Sequence, residues 1–215
     1  MKIEYLGHSC FRLQNERGIR IITDPYTRVG YELPDGLEAE LVTTSHGHYD
    51  HNYIAAIGGN PQILSQEGAY EYDGVKIVGK HTWHDPKHGA LRGGNVMFRF
   101  TLDGVDVCHF GDLGEAYSEE IGEFLKGADV WLIPVGGTYT IDAEQAMEYI
   151  RKGKPKAVIP MHYRPTDGRL DIATIDSFLQ YADEKNVVRR PKGEFVFRKA
   201  DLTDGETKII YMERK

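Results

Sequence analysis

The chain has 215 residues, with 26 Lys plus Arg against 33 Asp plus Glu and a formal net charge of −7. That length suits one domain, residues 1–215, with a sizeable core, and is short for two. A content of 40% hydrophobic and 27% charged residues excludes a disordered tail, and the acidity argues against a protein held to nucleic acid or anionic membrane by overall charge. No apolar run approaches the roughly twenty residues of a membrane span. Met1-Lys2-Ile3-Glu4-Tyr5 does not read as a signal peptide, so a cytoplasmic protein is expected. Cys10 and Cys108 are too few for a disulfide scaffold or a Cys-based zinc site, and both fall in apolar segments that suit a core. The chain also carries nine histidines, and their positions turn out to matter most.

The first stretch reads as strands over Lys2 to Leu6, Cys10 to Gln14, Ile19 to Asp24 and Leu41 to Ser45. Asn52 to Ile57 suits a short helix closed by Gly58-Gly59. Asp73-Gly74 and Asp103-Gly104 each sit between alternating runs and predict tight hairpins. Ser118 can cap a helix whose apolar face is Ile121, Phe124 and Leu125, with Gly127 at its end. Val130 to Val135 and Ala157 to Met161 are continuous apolar runs, as in strands covered on both faces. Between them Asp142 caps a helix with Ala143, Ala146, Met147 and Ile150 on one face. Ile172, Ile175, Phe178, Leu179 and Ala182 mark a further amphipathic helix, and Glu194 to Arg198 and Lys208 to Met212 read as closing strands. The pattern alone predicts an α/β or α+β protein of packed sheet and helix layers.

Residues 46 to 51 read His-Gly-His-Tyr-Asp-His, at the end of a predicted strand. Three imidazoles and a carboxylate in six residues are costly to bury together without a cation. Neutral imidazole and carboxylate suit zinc, manganese, iron or nickel, and no thiolate is present to build a closed structural zinc site.

His46-x-His48-x-Asp50-His51 resembles the signature of the metallo-β-lactamase fold superfamily. Three further segments follow in the order that resemblance implies: Ile22-Thr23-Asp24-Pro25, His109-Phe110-Gly111-Asp112-Leu113-Gly114 and Ile159-Pro160-Met161-His162-Tyr163. Tyr5-Leu6-Gly7-His8-Ser9, His84-Asp85, Arg92-Gly93-Gly94-Asn95 and Pro134-Val135-Gly136-Gly137-Thr138-Tyr139 look like those of its small single-domain metal-dependent hydrolases, a subgroup that includes ascorbate-6-phosphate lactonase-like enzymes.

The resemblance implies a four-layer αββα sandwich carrying two divalent metal ions, zinc by default. His46, His48 and a third histidine would hold the first ion. Asp50, His51 and His162 would hold the second, and Asp112 would bridge them. His81, His84 and His88 are candidates for the third histidine, and His84, beside Asp85, fits the subgroup's pattern. His109 lies three residues before Asp112 on a strand, so the two point to opposite faces. Asp24 would orient a liganding imidazole, or else form an Asp-Pro turn. His8 would approach the site from the first loop, or serve as a structural histidine.

The resemblance implies a hydrolase acting through metal-activated water, which Asp50 could orient. The chain has no room for the large insertion of the nuclease relatives or the substrate arm of tRNA-processing relatives. A small phosphodiester, a phosphorylated lactone or an ester is the expected substrate; Arg92, Tyr139, Tyr163 and Arg164, near the motif positions, are candidates either to contact an anionic substrate or for a surface or packing role. Nucleic acid is not an expected partner, and the sequence does not specify an oligomeric state. A non-catalytic sensor of the same fold and a single-metal hydrolase remain as alternatives.

Overall fold

The computed structural model describes residues 1–214. Two β-sheets pack face to face. The first holds six strands in the order β13-β1-β2-β3-β4-β5, and the second eight in the order β12-β14-β11-β10-β9-β8-β7-β6.

The first sheet is built from β1 (Lys2–Gly7), β2 (Cys10–Gln14), β3 (Arg20–Thr23), β4 (Leu41–Thr43) and β5 (Gln62–Leu64), with β13 (Glu194–Val196) antiparallel to β1. Alternation along its strands divides their side chains between two faces. Ile3, Tyr5, Phe11, Leu13, Ile21 and Leu41 join the core shared with the second sheet. Leu6, Cys10, Ile22 and Val42 form a separate outer cluster with Tyr26, Val29, Tyr31, Leu37 and Ile57. That outer cover comes mainly from the segment 25–40 and from one 3-10 turn, Ile54–Ala56. The layered architecture therefore appears as expected, with the helical layer on this side reduced to loop and a single turn.

The second sheet contains β6 (Gly68–Tyr72), β7 (Val75–Trp83), β8 (Gly94–Leu102), β9 (Val105–His109), β10 (Val130–Pro134), β11 (Ala157–Met161), β12 (Val187–Arg190) and β14 (Lys208–Met212). Its two hairpins turn at Asp73-Gly74 and Asp103-Gly104, where all four residues have positive φ, between 47° and 80°. A two-residue hairpin loop of this kind needs positive φ at both central positions, which Asp-Gly supplies at little cost. From β9 onward, β10, β11 and β14 add in parallel. Helices α1 (Glu119–Leu125) and α2 (Ala143–Gly153) cover the outer face, and Trp131 of β10 packs under Gly153 and against Phe110, which meets Tyr149 edge to face. Ser118 accepts from the Ile121 amide, and Asp142 and Gln145 form a reciprocal capping box.

The long amphipathic helix expected around Ile172 to Ala182 is not formed. Only α3 (Asp176–Leu179) is helical. Ala173 is held extended, its amide donating to Gly136 O and its carbonyl accepting from the Arg164 amide. These two bonds to neighbouring loops take backbone groups a helix would have used, so Ile172 is buried from an extended segment. Strands β5 and β12 were also unexpected, because both lie at sheet edges and carry mostly exposed or half-exposed side chains without alternation. The two closing strands go to different sheets, β13 to the first and β14 to the second.

Strand direction places the loops. β1, β3 and β4 run the same way in the first sheet, as do β7, β9, β10 and β11 in the second. The segments following these strands carry His8, Asp24, His46 to His51, His84, Asp112, Tyr139 and His162.

Replacing Asp142 by alanine should cost about 1 kcal/mol of stability through loss of the cap. The urea midpoint should fall with an unchanged slope.

Candidate metal centre

Seven side chains foreseen from the sequence meet at this edge. His46, His48 and His84 form one group of potential ligands, and Asp50, His51 and His162 form another together with His8. Asp112 lies between them: its Oδ2 is 3.2 Å from His51 Nε2, 3.3 Å from His84 Nε2, 3.3 Å from His162 Nε2 and 3.9 Å from His46 Nε2. Of the three candidates for the third histidine, His84 is buried in the cluster, while His81 and His88 are exposed and outside it.

The orientation of the rings follows from what lies behind them. Asp24, with φ of 40°, is wholly buried at the end of β3. Its Oδ1 accepts from the Ser45 amide at 2.7 Å, and its Oδ2 accepts from the Ser45 hydroxyl at 2.6 Å and from His51 Nδ1 at 2.8 Å. The Ser45 hydroxyl has only one proton, which it gives to Asp24. Towards His46 Nδ1, 3.0 Å away, its oxygen must therefore accept. Asp24 thus sets His51 directly and His46 through Ser45, leaving both Nε2 lone pairs turned into the cluster. This is the orienting contact that ligand imidazoles use. Ser45 was not singled out from the sequence, because a lone serine before a histidine carries no signal.

Asn95 is a second residue whose part in this geometry was not anticipated. Its amide donates to Thr82 Oγ1 at 2.8 Å and to Phe110 O at 2.9 Å, and its Oδ1 accepts from the Asp112 amide at 2.8 Å. It ties β7 and β8 to the turn that presents Asp112. Gly111 makes that approach feasible, since a Cβ there would stand 2.3 Å from Asn95 Oδ1 and 2.5 Å from Ser45 Cβ.

The remaining candidates are placed as follows. Asp85 is buried and touches no ligand group, accepting instead from the amides of Lys87, Gly89, Leu91 and Arg92 and shaping the loop after His84. Arg92 donates to Thr138 O at 3.0 Å and lies over the Tyr139 ring at 5.5 Å. Tyr163 is buried, with its hydroxyl committed to Met212 O, and Arg164 is exposed. His109 donates from Nε2 to Ser9 O at 2.8 Å and accepts at Nδ1 from Gly111 N, within the core between the sheets. Cys10 and Cys108 are fully buried, and burial pushes the Cys108 thiol up to about 12.

The donor set fits metal ions. Two donors each about 2.0–2.1 Å from one tetrahedral ion stand roughly 3.3–3.4 Å apart, and the closest spacings around Asp112 lie at or just below that. Asp112 Oδ1 is buried without a hydrogen-bond partner. Burial pushes His46 down to about 3, leaving a neutral ring with a free lone pair. Burial also opposes charge on His51, but Asp112 and Asp24 outweigh it and raise its pKa well above the usual range. Burial opposes ionisation of Asp112 as well, yet the His162 and His51 rings hold its carboxyl well below the usual range. The buried carboxylates call for positive charge, burial works against it on His46 and His84, and a divalent cation would supply it.

A sequence profile of the β-lactamase superfamily domain matches residues 2–162. This chain belongs to the metallo-β-lactamase superfamily. It is 31% identical to a metal-dependent hydrolase of Thermococcus onnurineus over 193 residues, covering 76% of this chain and 84% of the relative. It is 30% identical to another of Thermoplasma acidophilum, covering 78% and 85%. A structure from Thermotoga maritima, assigned as a Zn-dependent hydrolase of the metallo-β-lactamase superfamily, is 34% identical, has a TM-score of 0.79 and is covered over 99% of both chains. The fold alone is shared with an isothiocyanate hydrolase from Delia radicum gut bacteria, at 15% identity and a TM-score of 0.67. Like these superfamily relatives, the protein is a metal-dependent hydrolase. Among the described residues, no helix is long and apolar enough to cross a membrane.

Asp24→Asn keeps the shape but removes the charge that orients His51 and, through Ser45, His46. Metal affinity should fall about 10- to 100-fold, measured by competition with a chromophoric chelator.

Proposed function

We propose that residues 1–215 act as one hydrolase domain using two divalent cations, zinc foremost, to cleave a small phosphodiester, lactone or ester. The observation that carries this reading is the position of Asp112, whose Oδ2 lies within 3.2 to 3.9 Å of imidazoles from both ligand groups. His46, His48 and His84 would hold one ion, Asp50, His51 and His162 the other, and Asp112 would serve both. Bound there, the ions would supply a water of lowered pKa and polarise the carbonyl or phosphoryl oxygen.

The chain's own groups do the rest. Asp50, 15% exposed, has more access to solvent than Asp24 or Asp112, and would orient the attacking water as a hydrogen-bond acceptor. Burial works against ionisation of Asp50, but its hydrogen bond to His8 and the His51 and His8 rings outweigh that and hold its carboxyl well below the usual range. It is therefore an acceptor at neutral pH. Arg92, steadied by Thr138 O and the Tyr139 ring in the loop after β10, would neutralise an anionic group on the substrate. No reactive serine or cysteine is required.

Chelator-treated protein should lose turnover of bis-p-nitrophenyl phosphate, lactones or thioesters and regain it as metal is added back, reaching full rate near two equivalents by elemental analysis. Full rate at one equivalent would sink the two-ion reading. With two ions bound, absence of turnover on every class would sink the hydrolysis of these substrates.

Asp112→Asn should lower kcat at least about a hundredfold while circular dichroism shows the fold retained.

A further inference from the structure

From the geometry we infer that His8 is itself a metal ligand, a fourth chain donor to the ion held by Asp50, His51 and His162, so that the substrate's oxygen binds on the more exposed His46, His48 and His84 side. The inference rests on the two-ion reading above and adds an asymmetry to it.

Three observations support it. His8 Nε2 lies 3.2 Å from His51 Nε2 and 3.3 Å from Asp50 Oδ2. These spacings resemble those around Asp112 and approach the separation expected of two donors on one ion. The His8 ring centroid is 4.3 Å from that of His162 and 4.9 Å from that of His51. The ring is only 1% exposed, so no solvent pays for an unmatched nitrogen.

The backbone is built to hold the ring there. His8 has φ of 53°, a conformation that side-chain-bearing residues rarely adopt. Its amide donates to Tyr31 Oη at 3.1 Å, and its carbonyl accepts from Tyr5 Oη at 3.1 Å and from the His162 amide at 3.0 Å. The loop bearing His8 and the end of β11 bearing His162 are thus joined directly, across the gap between the sheets. Gly7, with φ of 111°, lets the turn pass beneath Tyr26 and Tyr31, where a Cβ would stand 2.8 Å from each. A left-handed backbone pinned at three points, with its side chain in a cluster of donors, is the kind of strain that collects at functional sites.

The consequence is a division of labour. The His8 side has four chain donors besides Asp112, three of them buried. The other side has three, one of which, His48, is exposed. A structural ion is closed by its protein ligands, whereas one that meets substrate keeps an open position. The His8 side is the better filled of the two.

The test uses the full chain labelled with nitrogen-15, observed through its histidine ring signals during zinc titration. The His8 ring is assigned by loss of its signals in His8→Gln or, should that variant not fold, by through-space contacts with Tyr26, whose ring centroid is 6.1 Å away. His8 Nε2 should move to a metal-bound shift together with His51 and His162. In His8→Gln one zinc equivalent should bind on the order of 100-fold more weakly, by chelator competition, while the other is unchanged. If His51 and His162 move and His8 does not, the inference is overturned and the two-ion reading stands. If none of the rings moves on adding zinc, both fail.

Discussion

The organising constraint of this molecule is a carboxylate, Asp112, buried among imidazoles with one oxygen facing several ring nitrogens and the other unpartnered. A lone buried carboxylate is expensive, and the imidazoles around it offset that cost only in part. Much of what surrounds the site prepares this one group. Asn95 fixes its backbone, Gly111 gives it room, and the shared edge of the two sheets brings imidazoles to it from three separate loops, after β4, β7 and β11.

The architecture explains why those loops coincide. A strand delivers a side chain at its end with little freedom, because sheet hydrogen bonds hold everything before it. The candidate ligands that follow β4, β7, β9 and β11 therefore arrive as four rigid points. Asp24 at the end of β3 then locks the tautomers of two rings with one carboxylate, using Ser45 as the intermediary for the second. Three residues at this edge, His8, Asp24 and His162, sit at positive φ. The fold accepts local backbone strain where it must turn sharply to aim a side chain inward.

Much of the site was legible in the sequence because its densest part is local. His46, His48, Asp50 and His51 lie within six residues, and their chemistry is visible without any fold. Asp112 and His162 were legible only through their strand contexts. The functions of Ser45 and Asn95 were not legible, since hydrogen bonds to residues 21 and 17 positions away leave no pattern in the chain. The expected helix from Ile172 failed for a related reason. Apolar spacing of a helical kind arose there from an extended segment and a short helix, each burying its own residues, and backbone bonds to distant loops decided the outcome.

By itself, then, the sequence determined the class of chemistry, the strand-helix-strand run of β10, α2 and β11, and the hairpin turns, because each rests on neighbours in the chain or on side-chain donor type. Tertiary structure alone decided that β13 and β14 part to different sheets, that His84 rather than His81 or His88 enters the cluster, and that His8 lies among the donors around Asp50. These depend on which strand ends share an edge and how far a ring can reach. Distances across two packed sheets are set by the core between them, and no local stretch of sequence encodes them.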